Sequence, residues 1–183
     1  MNYTFIRFRQ EISLAAFTLI LSNFMIKENR ILAVENEVSS DAGSNVIDAN
    51  GKTVLPELID THAHLLVEEM ASQPRSSEEL ETFIRNGLPD RLQAYLETGI
   101  TTIMSTGDFL PAIKGVRDSI RAGNLSGPRI FTSGPVFTAQ GGHPAVTVCG
   151  RFDEAGDNPW CREHISIEVE TREEARKAVD SLV

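Results

Sequence analysis

The sequence predicts an α/β fold, and three observations carry that expectation. From Leu58 onward, apolar runs of strand length alternate with segments whose apolar residues recur at helical spacing. Helix-start signals, Ser76-x-x-Glu79 and Thr171-x-x-Glu174, stand where those helical segments begin. The composition is that of a globular chain, with 41% apolar residues in 183, enough for a domain with a real core. The resulting order is β-α-β-α-β-loop-α, the alternation that builds parallel sheets with right-handed crossovers.

The elements follow in order. Arg7 and Arg9 precede a mostly apolar run from Ile12 to Leu21. That is the order of a signal peptide, and the run is shorter than the roughly 20 residues a membrane span needs. Glu11 interrupts it and no small-x-small cleavage site follows, so residues 1–23 form an extension whose nature stays open. Residues 24–55 predict a small β-domain. Phe24–Lys27 and Arg30–Val34 flank Glu28-Asn29 as a hairpin. Val46-Ile47, a turn at Asn50-Gly51 and a strand over Thr53–Leu55 complete it. Residues 56–183 hold the alternating units. A strand runs from Leu58 to His64. The helix after Ser76 carries Leu80, Phe83, Ile84, Leu88, Leu92, Tyr95 and Leu96 on one face, with a kink or break at Gly87 and Pro89 and an end at Gly99. Thr101–Met104 is the next strand. Phe109, Leu110, Ile113, Val116 and Ile120 mark a helix stopped near Gly123, and Arg129–Thr132 is a third strand. Residues 135–165 read as a long Gly- and Pro-containing loop, a length more often functional or mobile than idle. A helix from Thr171 to the last residues closes the chain.

The candidate chemistry sits at the end of the first of these strands, in Ile59-Asp60-Thr61-His62-Ala63-His64. Side chains alternate faces along a strand, so His62 and His64 point the same way and can aim both imidazoles at one cation. Zinc takes neutral imidazole nitrogen at about 2.0–2.1 Å. A bare pair of histidines also serves as a hydrogen-bonded structural feature. Asp60, two residues earlier, is expected on the same face, either holding a ligating imidazole from behind or bonding a backbone group or arginine. Asp108 follows the second strand and is expected to cap the helix after it, or to line the mouth of the sheet.

Composition excludes some partners. The net charge is −9, with no basic cluster after the first ten residues, so nucleic acid is not expected. Cys149 and Cys161 have no Cys-x-x-Cys spacing, which removes a metal knuckle; they are a disulfide in an exported chain and free thiols in a reducing compartment. Cytoplasmic placement is the favoured expectation, export the alternative, and a stable membrane span is not expected.

The residues Asp48, Gly51, Val54, Pro56, Ile59, Asp60, His62 and His64 resemble the first-strand signature of the amidohydrolase superfamily of metal-dependent hydrolases. Glu57 departs from it, standing where the family has glycine, so a strained or reshaped approach to the strand is expected. Thr98–Ile103 resembles the family's second strand and Gly127–Pro135 its third. Thr138–Pro144 and Asn158–Glu163 are similar to the imidazolonepropionase-like branch, which includes prolidase-like dipeptidases. The resemblance covers about residues 24–183.

That resemblance implies a fold and an activity. The fold is the N-terminal part of a (β/α)8 TIM barrel behind a small β-domain, reaching about three β/α units where a whole barrel has eight in about 250 residues. Residues 1–23 would then supply a first strand of the small domain, the alternative to a signal-like segment. The activity is hydrolysis of carbon–nitrogen bonds (amide, peptide or cyclic amide) by water activated on one or two divalent cations, zinc by donor type. His62 and His64 would be metal ligands. His143 would lie on the loop after the third strand, as a substrate contact or a loop-stabilising residue. No other catalytic residue of the family is assignable here. The substrate would be a small molecule or dipeptide. The alternative is an inactive fragment or remnant acting as a binding module, with oligomerisation or a missing barrel half covering its open side.

Overall fold

The computed structural model describes residues 3–7, 13–14, 17–18, 23–28, 30–35, 44–50, 52–67, 72–151 and 155–182. The chain divides into two compact units, Met1–Pro56 and Glu57–Val183.

The first unit contains β1 (Tyr3–Arg7), β2 (Ser13–Leu14), β3 (Phe17–Thr18), β4 (Asn23–Lys27), β5 (Arg30–Glu35) and β6 (Asn45–Asp48). Its main sheet has the order β5-β4-β1-β6, and β2 pairs with β3. The expected hairpin is β4–β5, turning at Glu28 with φ of 54°. The strand expected over Thr53–Leu55 does not form. β6 instead runs parallel to β1, and the turn after it is closed locally. The Asp48 side chain accepts from the Asn50 N–H at 3.0 Å, and Lys52 N–H donates to the Ala49 carbonyl at 2.9 Å. An Asx turn of this kind redirects the chain without returning it along the same strand.

The second unit contains β7 (Leu58–Ala63), α1 (Ser77–Asn86), α2 (Leu88–Glu97), β8 (Ile100–Ser105), α3 (Ala112–Arg121), β9 (Arg129–Thr132), β10 (Val136–Ala139), α4 (Pro159–Ile165), β11 (Ser166–Val169) and α5 (Arg172–Asp180). β7, β8 and β9 form a parallel sheet in that order. The helix expected after Ser76 is two helices. Ser76 caps the first by accepting from the Glu79 N–H, and Gly87 with Pro89 divides it from the second. α3 starts at Ala112 rather than at Phe109. Phe109 is buried in the core and Pro111 takes the N-cap position, as expected where a residue before proline avoids helical geometry. Gly123, with φ of 75°, ends the turn after α3.

Residues 135–165 are more structured than a loop. β10 pairs in parallel with β11, a short π-helical turn spans Thr147–Arg151, and α4 begins at Pro159 behind the Asn158 cap. Cys149 and Cys161 form a disulfide, and both lie in the same core cluster as Ala63, Ile103, Leu88, Leu92, Ile113 and Ile130. Trp160 packs between Phe109 and His164, with ring centroids 5.4 and 4.3 Å away. The apolar residues that gave this segment no periodicity are therefore its anchors. Among the described residues, no helix is long and apolar enough to cross a membrane.

Replacing both Cys149 and Cys161 with Ser should cost about 3 kcal/mol of unfolding free energy, the loop-closure value for a short bridge. Urea denaturation under oxidising conditions reads this directly, and an unchanged midpoint would contradict the pairing.

Candidate metal centre

The site begins with how β7 registers on β8. Asp60 pairs with Ile103 and Ala63 with Ser105. Three steps on β7 thus span two on β8, a bulge with one extra residue. Ile103 and Ser105 share a face, and both are buried. Asp60 and Ala63 consequently both turn toward the helix-covered face, and His62 lies on the other. Simple alternation placed Asp60 beside His62; the bulge separates them. Its carboxylate instead accepts from the His62 backbone N–H at 3.0 Å.

His62 is exposed and His64 half-buried. Their ring centroids lie 5.2 Å apart with planes at 81°. Nδ1 of His64 is buried and has no hydrogen-bond partner. A buried polar atom in that state needs an explanation, and a bound cation is one. The donor set, two imidazoles on one side of a strand end, suits zinc. Among the described residues, no group of three or more His, Cys, Asp or Glu side chains is arranged to hold a metal. The pair is therefore at most part of a ligand set, since catalytic zinc has three protein ligands as a rule.

The segment after His64 is held firmly. Asp108 is fully buried, and its Oδ2 accepts from the Leu65 N–H at 2.9 Å and from Ser105 Oγ at 2.5 Å. Oδ1 accepts from the Leu66 N–H at 2.9 Å. The carboxylate therefore does not cap α3, whose N-cap is Pro111 without a side-chain bond. On the other side, Arg91 of α2 donates to the Leu65 carbonyl at 2.8 Å and lies 5.0 Å from the Phe83 ring centroid. Sequence reasoning missed Arg91. Its signal was a cation three residues after Leu88 and one before Leu92, inside an apolar helix face.

Glu57 causes no backbone strain. Among the described residues, only Glu28 has positive φ outside glycine. Glu57 is exposed, and its carboxylate accepts a bond from the Thr101 hydroxyl. His143 is exposed and its Nδ1 lies 2.6 Å from Thr147 Oγ1. The glycine before it is required by space, because a Cβ at Gly142 would meet Thr138 Oγ1 and the Ala139 carbonyl. His164 bonds the Trp160 carbonyl through Nδ1 at 2.7 Å.

The profile of the amidohydrolase family matches residues 53–183. The chain belongs to the amidohydrolase family. Among solved structures, this amidohydrolase chain is similar to a prolidase complexed with N-methylphosphonate-L-proline, at 27% identity and a TM-score of 0.71. The match covers 98% of this chain and 43% of that one. It is also similar to a Xaa-Pro dipeptidase with bound methionine in the active site, at 26% identity and a TM-score of 0.61, over 79% of this chain and 36% of that one. Molinate hydrolase shares the fold at 24% identity and a TM-score of 0.57, over 75% of this chain and 31% of that one. The amidohydrolase chain thus spans less than half the length of each of these relatives. No curated protein matches it.

Tyr95 on α2 reports on the helix side of the site. Burial, and next the Asp60 carboxylate, raise its phenol above the usual 10.0, against an opposing pull from Arg91. A raised folded pKa means stability that is full below pH 10.0 and is lost as pH rises through the folded value. Phenolate absorbance of the native chain, less that of Tyr95→Phe, should titrate at higher pH than the same difference in urea. Coincident midpoints would contradict the burial.

Proposed function

We propose that the chain carries the first three strands of a (β/α)8 barrel hydrolase that cleaves carbon–nitrogen bonds with a divalent cation. His62 and His64 are two of the cation's ligands. The observation that carries this reading is the unpartnered buried Nδ1 of His64 beside the His62 ring. When bound, the cation supplies Lewis-acid charge and lowers the pKa of water. The residues of this chain do the holding. Alternation from His62 to His64 turns both rings to one face, the bulge before Ala63 turns Asp60 away from them, and the Asp60 carboxylate fixes His62 through its backbone N–H. Asp60 thus supports a ligand, through the main chain rather than the imidazole. His143 stands on the segment after β10 as a substrate contact, braced by Thr147. The similar prolidase and Xaa-Pro dipeptidase support a dipeptide-like substrate.

The barrel reading also accounts for apolar surface. Ile59 is 60% exposed, Leu58 52% and Phe131 50%, although parallel sheets in complete folds are covered on both faces. Further strands, or a second copy, would cover them.

Zinc content of the purified chain tests the site. One equivalent is expected, with affinity reduced more than about 10-fold in His62→Ala and His64→Ala, since even outer-shell partners are worth that much. Equal binding by all three would end the proposal. Hydrolysis of Xaa-Pro dipeptides that requires zinc and stops on chelation would support the activity; hydrolysis indifferent to chelation would contradict it. Light scattering should show the chain self-associating, and Ile59→Lys with Phe131→Lys should reduce that association. A monomeric wild type would count against the open-barrel account.

A further inference from the structure

We propose that Asp108, with Arg91, is a positioning residue for the His62–His64 cation site, acting through the main chain immediately after His64. The inference rests on the metal reading above. Three fastenings meet around one residue. The Ala63 carbonyl, before His64, accepts from the Thr106 N–H at 2.9 Å. The Leu65 N–H, after it, donates to Asp108 at 2.9 Å, and so does the Leu66 N–H. The Leu65 carbonyl accepts from Arg91 at 2.8 Å. With the backbone bonded before and behind, His64 keeps only its side-chain torsions, and its ring is confined to a small range of directions.

The choice of a carboxylate has a chemical reason. All three groups that meet Asp108 are donors: two backbone N–H groups and the Ser105 hydroxyl. A buried carboxylate is costly unless it is fully hydrogen-bonded. Here both oxygens are used. An amide of the same shape turns one donor toward another donor, whichever way it is flipped. Asp108→Asn therefore keeps the volume and loses the match. The side chains of Leu65, Leu66 and Val67 are buried below the site, so the segment cannot shift outward without exposing them.

A purely structural role would lower stability without touching cation affinity. The test measures zinc dissociation constants by competition with a chromogenic chelator, at a temperature where circular dichroism shows each variant folded. Asp108→Asn and Arg91→Ala should weaken zinc binding by about 10- to 100-fold, the range for groups that orient ligands. Ser105→Ala, which leaves the carboxylate and its two backbone bonds, should weaken it less. Ile130→Ala on β9 removes buried core volume and should lower the melting temperature with unchanged zinc affinity. If Asp108→Asn does not fold, Arg91→Ala and Ser105→Ala carry the comparison. Zinc binding by Arg91→Ala and Asp108→Asn equal to wild type, or a loss in Ile130→Ala as large as theirs, would overturn this inference and leave the site intact. Absence of zinc binding by the wild type would overturn the site itself, and this inference with it.

Discussion

One extra residue in β7 decides the arrangement of the site. The ladder with β8 pairs Asp60 with Ile103 and Ala63 with Ser105, so β7 takes three steps where β8 takes two. In a regular strand, Asp60 and His62 would share a face. The bulge rotates Asp60 onto the helix side, within electrostatic reach of Tyr95, and leaves both imidazoles on the open side. Covered and uncovered faces then acquire different chemistry. The covered one is apolar core, with a few polar groups that have bonding partners. The uncovered one presents two imidazoles and the exposed rings and chains of Ile59 and Phe131.

Holding that arrangement falls to polar groups inside an apolar cluster. Ala63, Leu65, Leu66 and Val67 pack with Leu88, Leu92, Ile103 and Ile113, which fixes where the strand end lies. Packing alone is non-directional. Direction comes from Asp108 and Arg91, whose bonds hold the backbone of Leu65 and Leu66 just past the strand end, with Ser105 donating to the Asp108 carboxylate. The disulfide and the Trp160 stack add a second fastening, at the π-helical turn and α4.

Much of this was legible in the residue order, for physical reasons. Capping signals at Ser76 and Thr171 and the break at Gly87 depend on neighbours within four positions, and each stands where the pattern placed it. Strand-to-helix alternation depends on periodicity and was equally readable. The family resemblance rested on a dense motif and agrees with the family match over residues 53–183. Long-range pairings were not readable. The bulge depends on the register between β7 and β8, and no local signal announces it. The Thr53–Leu55 strand failed because β6 takes β1, distant in sequence, as its neighbour. Asp108 looked like a cap because it stands just before a helix, but its partners are Leu65 and Leu66, more than forty residues earlier. Residues 135–165 looked like a loop because their order comes from a disulfide and a parallel pairing with β11.

The most direct measurement is the histidine ring-nitrogen spectrum of the chain during a zinc titration. His62, His64, His143 and His164 are its only histidines. The account predicts that the ring signals of His62 and His64 move together, saturating at the same zinc concentration, while His164 stays fixed in its bond to Trp160. Movement of the two rings at separate concentrations, or no movement of His64 Nδ1, would contradict a cation shared between them.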